Sequence, residues 1–398
     1  RGDVKLVNSK FVLTADSLGY NTESYQSDLI GPTTILYEEE TTILSTNGWY
    51  NTKTELSQLL DRSLIIHEDG MTLTGDTIFY DKANGYGRCI GNIESTDSTN
   101  QMTLYGDFSE VWEDGNRGYV TDSAMMLDWS DSTAFTYMHA DTLWTEEIFY
   151  PIYSLQPRDS ILIDSVMMPQ MPDTLWRDTS YQQLRAFHHV RIYRSDIQAV
   201  CDSARYHGRD SLLTLFGLPI CWNEDNQLSA DQIDIYIRNE EIDYLHGVSN
   251  AMAIKREGFE EFNQLAGKEM FAYVRDNEIY LVDVRGNAET VFYPQEDDGT
   301  YIGVNRTQSS FVKLYLKDRK IDRVLFTTAT TGVMIPLDQA LEEERKLSGF
   351  FWAEDEKPSS PQDIFRHPAR TVRPVAGTIS AAAEDDEEDE DDEEDEDE

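Results

Sequence analysis

One pattern recurs along this chain at a nearly constant spacing, and it constrains the fold more than any other feature. An apolar residue is followed by two small or polar residues, an Asp, and then apolar residues at alternate positions. It reads Leu13-Thr14-Ala15-Asp16-Ser17-Leu18-Gly19-Tyr20 and returns as Leu73-Thr74-Gly75-Asp76-Thr77-Ile78-Phe79-Tyr80. Further copies begin at Leu104, Met138, Ala199 and Leu228, and a degenerate copy at Leu44 has Asn47 in place of Asp. The anchors at 16, 47, 76, 107, 141, 202 and 231 are separated by 31, 29, 31, 34, 61 and 29 residues. A later copy, Leu265-Ala266-Gly267-Lys268, replaces the Asp by Lys. A unit of about 30 residues cannot bury its own apolar face, so such units stack and each covers the next.

Each unit has a second half, about fifteen residues past the Asp, where a small or polar residue opens another alternating run. Gly31-Pro32-Thr33, Gly91-Asn92-Ile93, Gly217-Leu218-Pro219 and His188-His189-Val190 are examples, and Gly2-Asp3-Val4 is one without its first half. Alternation over five to eight residues rich in Val, Ile, Thr and Tyr predicts strands. Asp81-Lys82-Ala83-Asn84-Gly85 and Glu113-Asp114-Gly115-Asn116 supply turn chemistry. The fold class expected is all-β, an elongated stack of repeats over residues 1–335. The interval of 61 reads as an insertion at about 147–180, and Pro151, Pro157, Pro169 and Pro172 mark it as loop. Helix is expected only over Leu337–Leu347, within a cap at 336–368. Linker character begins beyond Pro358, and a disordered acidic tail occupies 369–398.

Charge narrows the functions. Asp and Glu number 75 against 33 Lys and Arg, for a net charge of −42. Fifteen of the acids form the run Glu384–Glu398, and without it the body still carries 60 against 33. Such a polyanion is no partner for nucleic acid, which requires clustered Lys and Arg. No stretch reaches the roughly 18 apolar residues of a membrane span. The three cysteines, Cys89, Cys201 and Cys221, are too few for a disulfide scaffold; Cys201 and Cys221 could pair, or all could be buried thiols. The chain opens on Arg1-Gly2-Asp3 in mid-unit, as expected of a trimmed piece whose signal peptide and first repeats lie outside it.

A search for chemistry finds none. The repeated Asp has a calcium reading, but the glycine-rich nonapeptides of calcium-binding β-rolls are absent. It reads instead as a turn carboxylate accepting backbone N–H groups where a strand bends. Gly85-Tyr86-Gly87-Arg88-Cys89-Ile90-Gly91 lacks the spacing and the helix of a dinucleotide loop and reads as turn plus strand. The seven histidines make no metal-binding spacing, and His188 and His189 are expected on opposite faces of one strand. No cofactor, metal or catalytic residue is called for.

The apolar positions remain. Three residues before the anchor stand Leu13, Leu44, Leu73, Leu104, Met138, Ala199 and Leu228; two after it stand Leu18, Trp49, Ile78, Ser109, Leu143, Ala204 and Ile233. Stacked, these form continuous ladders. The ladders fit an ordinary core, and equally a greasy trough whose walls stand apart. On the second reading, Leu13, Leu18, Leu44, Trp49, Leu73, Ile78, Leu104, Met138, Leu143, Leu228 and Ile233 line a groove for acyl chains. Val4 and Leu6, at the start, are expected on an open edge that pairs with another β-protein.

The ordered series of L-x-x-D-x-h-x-Y cores, each followed by a G-N-V-type strand, resembles the OstA/LptA lipopolysaccharide-transport family, and more closely its longer OstA-like branch. Leu73–Asp81 with Gly85-Tyr86-Gly87, His139–Leu143, Val190–Asp196, Val200–Ser203, Gly267–Met270 and Thr331–Asp338 carry the resemblance, which spans about residues 2–368. It implies an open, folded-over β-jellyroll in the periplasm that shields the acyl chains of lipopolysaccharide or its lipid A. It also implies end-to-end strand pairing with other β-jellyroll transport proteins, and no catalysis. The insertion and the acidic tail are not part of the family's pattern. Two rivals stand beside this reading: a structural or adhesin-like stack with a solid core, and a β-helix enzyme acting on polysaccharide.

Overall fold

The computed structural model describes residues 2, 4–7, 10–156, 161–163, 166–168, 173–239, 241–296 and 298–370. The acidic run Glu384–Glu398, expected to be disordered, lies outside them. One antiparallel sheet of 26 strands runs without a break in its ladder from Val4 to Pro336. Eleven of its strands pass unbroken through a bend, among them Phe11–Asn21, Gln26–Tyr37, Thr41–Asn51, Tyr86–Asp97 and Met102–Trp112. Others break there into two, as in Met71–Gly75 with Thr77–Asp81 and Asn226–Ser229 with Gln232–Arg238. All the bends fall in one row, so the sheet folds over on itself into two walls. The first wall carries Leu13, Ile93, Met138 and Ala199, and the second Leu29, Ile78, Cys89, Leu143 and Leu215. Residues of both walls share the same apolar clusters.

The repeat anchor is this corner. Asp16, Asp76, Asp107 and Asp141 each stand as one residue opposite two on the neighbouring strand. The two facing residues take left-handed backbone: Gly91 and Asn92, Asp122 and Ser123, His188 and His189, Gly217 and Leu218, Ser249 and Asn250. This is a β-bulge repeated at every level, and it turns the strands from one wall to the other. Glycine opens several pairs because it takes positive φ at no steric cost. At Gly91 (φ 79°) an added Cβ would also stand 2.8 Å from the Asp76 carboxylate. The turn is closed mainly by backbone. The N–H groups of Asp76, Asp107, Asp141 and Asp231 donate to the carbonyls of Gly91, Asp122, His188 and Ser249 at 2.9–3.1 Å. Among the described residues, the Asp107 carboxylate is the one anchor carboxylate that accepts a backbone N–H, from Asn92 at 3.2 Å. Others are met by side chains: Asp76 by Asn92 at 2.6 Å and Asp231 by Asn250 at 2.9 Å.

His188 and His189 are therefore not on opposite faces of a flat strand. Both are corner residues, with His189 Nδ1 2.9 Å from Asp141 and His188 Nδ1 3.4 Å from Asp202. The degenerate copy also changes register. Thr46, not Asn47, faces Gly31-Pro32, because Ser45 pairs with Thr33 and Asn47 with Ile30. With period-two side chains, a one-residue shift moves every residue to the other face. Leu44 thus points outward, 39% exposed, and Ile43 takes the inner place. Trp49 likewise lies in an outer row, opposite Asp28 and Gln58.

The C-terminal segment forms a strap on the outer face of the first wall. The helix expected over Leu337–Leu347 is one turn, Glu342–Arg345. Tertiary bonds prevent its extension: Arg345 donates to the carbonyls of Leu337 (2.7 Å) and Ala340 (3.2 Å), and the Leu347 N–H donates to Gln264 Oε1 at 2.7 Å. Two glutamines clasp the strap backbone. Gln264 Nε2 donates to the Arg345 carbonyl at 2.7 Å; Gln227 donates to the Phe351 carbonyl and accepts from the Ala353 N–H, both at 2.9 Å. Each amide does the work of a ladder pair. Residues beyond Pro358, read as linker, stay packed: Ile364 is fully buried, and buried Arg191 donates to the Asp363 carbonyl at 3.4 Å. Strands under the strap are therefore buried on both faces, with Val200, Ile220 and Trp222 against Phe351 and Ala353.

The expected loop at 147–180 is largely strand. Thr142–Gln156 pairs with Asp173–Tyr193 residue by residue, from Thr142↔Phe187 to Gln156↔Asp173. Alternation was hidden because Ile148, Phe149, Tyr150, Pro151 and Ile152 follow one another with no polar residue between them. Pro151 sits where it is tolerated, in a ribbon whose two strands pair only with each other there among the described strands; Pro157, Pro169 and Pro172 lie outside the described residues.

Candidate functional site

The interior between the walls is the site the ladders define, and its two halves differ. In the N-terminal half, Leu13, Ile78, Leu29, Leu59, Cys89 and Ile93 are buried. Around them Phe11, Leu18, Ile35, Ile43, Ile65 and Leu73 are only partly covered. Val4 and Leu6 pair with Ala15 and Leu13, so they face the same interior, and Leu6 is 37% exposed. Among the described strands, Val4–Val7 pairs with Phe11–Asn21 alone. In the C-terminal half the buried centre is larger: Leu143, Leu215, Ile233, Val284 and Ala288 are fully buried in one cluster with Met138, and Leu213, Ile242, Val274, Leu314 and Phe326 are partly covered around it. Leu104 and Leu228 pack on that cluster half-buried. Of the eleven residues expected to line a groove, nine face the interior, and Leu44 and Trp49 do not.

A further row faces inward from the second wall. Register aligns Tyr20, Ser27, Tyr50, Ser57, Tyr80, Gly87, Val111 and Gly118 across consecutive strands. A bulky residue thus alternates with a small one over which it can lie. Tyr50 meets Phe11 of the first wall edge-on, with ring centroids 6.3 Å apart. Tyr80 donates to Glu113, and burial followed by that carboxylate pushes the phenol's pKa up.

Opposite the corner, the free lips of the two walls approach one another. Lys82 Nζ lies 3.4 Å from Glu38 and 4.2 Å from the centre of the Tyr37 ring, and Lys10 Nζ lies 3.7 Å from Glu55. Toward the C-terminus Arg319 pairs with Glu224. These pairs are largely solvated, and such contacts are worth about 0–1 kcal/mol each. They bridge the two lips.

The outer face of the second wall carries an aromatic row. Trp144 stacks on Tyr119 (7° between planes) and on Trp112, and Glu110 accepts hydrogen bonds from Tyr86 and from Tyr119 (2.8 Å). Farther along, Tyr236 stacks on Tyr244 and His246 on Phe271. Aromatic pairs of this kind stabilise neighbouring strands, and Trp49 belongs to this outer surface.

The three cysteines are free and buried. Burial raises the Cys89 thiol to about 11 and the Cys221 thiol to about 12. Among the described residues, no group of three His, Cys, Asp or Glu side chains is placed to hold a metal ion. The interior row could have been traced more fully from sequence by stepping two residues outward from the ladder positions Leu13, Leu18 and Ile78, which reaches Phe11, Tyr20 and Tyr80. The returning strands carry no copy of the L-x-x-D anchor, and so Ile35 and Ile65 could not be placed on the inner face from it. No protein-family model and no curated protein sequence matches this chain.

Proposed function

We propose that this chain is a periplasmic, non-catalytic carrier that shields the acyl chains of lipopolysaccharide or its lipid A between its two walls. The observation that carries the reading is the incompletely covered apolar interior of the N-terminal half, from Leu6 and Phe11 to Leu73, behind a mouth held by solvated ion pairs. Each CH₂ withdrawn from water contributes about 0.8 kcal/mol, so such a surface gives acyl chains a favourable place. End-to-end strand pairing with other β-jellyroll proteins would continue the passage from the edge at Val4 and Leu6.

A second reading, a structural stack with a solid core, draws support from the larger buried centre of the C-terminal half around Leu143, Leu215 and Ile233. One experiment separates the two. Photo-crosslinkers placed at Leu73 and Ile78 in cells should label lipopolysaccharide, while crosslinkers at outward Thr72 and Thr77 should not. Native mass spectrometry should find the same lipid on the purified chain. Equal labelling at both pairs, or none at either, leaves the solid stack.

A further inference from the structure

Residues 359–370, the end of the strap, close over a cluster of histidines. His139 lies beneath them at the end of the strand Thr136–His139 and is only 4% exposed. Its Nδ1 is 2.7 Å from the Ala124 carbonyl, which can only accept, so Nδ1 carries the proton. Nε2 is left with a bare lone pair, buried without a hydrogen-bond partner. The Phe365 ring stands 4.8 Å from the His139 ring and the His367 ring 5.5 Å, so the strap itself supplies the roof. His189, at the corner, lies 5.1 Å from His367, with Nδ1 2.9 Å from Asp141.

Charge beneath this roof is already matched. Arg191 stands opposite His139 on the neighbouring strand and is equally buried. It reaches Asp363 of the strap, donating to the carbonyl at 3.4 Å with Nη2 4.0 Å from the carboxylate. Arg366 holds the same carboxylate at 2.7 Å, and Arg370 holds buried Glu356 at 2.9 Å. The charged groups acting on His139 and Arg191 are thus three arginines, Arg191, Arg366 and Arg370, against three carboxylates, Asp141, Glu356 and Asp363. His367 is the further titratable group among them. An imidazole that takes a proton here adds positive charge to a balanced set. At His139 the added N–H would also be buried without an acceptor, which is costly.

We propose that residues 359–370 form an acid-released latch, closed over a neutral His139 and lifted when that histidine takes a proton. Lifting gives the imidazole and Arg191 access to water and parts both from His367. Burial, with the positive charge of His367 and Arg191, holds the His139 pKa below its ordinary value while the latch is closed. The open form therefore binds the proton more readily, and falling pH favours opening. With the ordinary value of about 6.5 regained in the open form, one proton shifts the opening equilibrium about tenfold between pH 7.5 and pH 5.5. Release is confined to the end of the strap. Gln227 and Gln264 hold residues 345–353 through amide bonds to which no histidine contributes. This assignment is independent of whether the interior carries acyl chains.

Hydrogen exchange of the full chain tests it, read as protection factors so that the intrinsic pH dependence of exchange is removed. The Asp363 and Arg366 N–H groups, bonded to the Ser360 and Asp363 carbonyls at 3.1 Å, report on the latch. Protection of residues 359–370 should fall about tenfold from pH 7.5 to pH 5.5, while that of residues 345–353 holds. In His139→Gln the ratio between the two pH values should drop below threefold, whatever the protection at pH 7.5. His139→Phe keeps a ring against Phe365 without a titrating group and should do the same, so either variant suffices if the other does not fold. His188→Gln, whose ring belongs to the Asp202 corner, should keep the wild-type ratio. A wild-type ratio near one, an unchanged ratio in both His139 variants, or an equal loss of protection in residues 345–353 would overturn the proposal.

Discussion

Ile43 and Leu44 are neighbours with opposite fates, and they make the register at the degenerate corner testable. Leu44 lies on the outer face, so Leu44→Glu should change stability by no more than about 0.5 kcal/mol. Ile43→Glu would bury a carboxylate beside Leu13 and Ile65 without a partner, and Ile78→Ala should cost about 2–5 kcal/mol through transfer and cavity effects. Urea unfolding of the three variants checks this; a destabilised Leu44→Glu with a neutral Ile43→Glu would restore Asn47 as the corner. Sequence was ambiguous here because the repeat is recognised by its Asp, and neither Thr46 nor Asn47 supplies one. His139 gives a second prediction. It is buried, with Nδ1 2.7 Å from the Ala124 carbonyl, Nε2 unpartnered, and its ring against Phe365 of the strap. Burial lowers its pKa, so the folded state binds fewer protons than the unfolded one. The stability it contributes is present above the unfolded value, about 6.5, and declines as pH falls below it. His367 of the strap and Arg191 stand near, and their positive charge acts in the same direction. Melting temperature measured from pH 8 to pH 5 should fall more steeply in the wild type than in His139→Gln.

At the scale of elements, strands and corners were legible because two periodicities coincide: alternation within a strand and an Asp at each bend. The strap was not legible, because nothing in Ser359–Arg370 has a period. It is held by side-chain amides from Gln227 and Gln264, about 120 and 80 residues earlier, and by burial of Ile364. The helical composition of 337–347 lost to these tertiary bonds, as propensity commonly does. Removing a clasp leaves buried strap N–H and C=O groups unpaired, at about 1–3 kcal/mol. Gln227→Ala and Gln264→Ala should each therefore speed amide exchange in residues 345–353, and together should release the segment. Exchange unchanged in the double variant would mean that apolar contacts alone dock the strap. The paired strands within 147–180 were misread for a different reason: Ile148–Ile152 is continuously apolar and contains Pro151, so it carries no alternation, and only its register with Arg177–Tyr181 makes it strand.

Across the whole molecule, stability is set locally, because each level of a stacked fold touches mainly its neighbours. The two halves have unequal support. From Thr136 to Val304 the first wall is covered inside by the Leu143–Val284 cluster and outside by the strap, while the last strand, Thr331–Pro336, is exposed. From Phe11 to Leu73 it has an outer face open to solvent, with Leu36, Leu44 and Ile66 exposed, and an inner face only partly covered. A sheet with fewer buried contacts per level opens at lower free energy. Hydrogen exchange should thus reveal at least two cooperative units, with amides of residues 11–81 exchanging before those of 184–292. Denaturant unfolding followed by site-specific probes in each half should give two midpoints, the N-terminal one lower. The same gradient bears on the carrier reading: adding a ligand with acyl chains should raise the lower midpoint more than the upper one, since the N-terminal interior has the smaller fully buried centre. A single coincident transition, or a ligand shift confined to the C-terminal half, would contradict this division of the molecule.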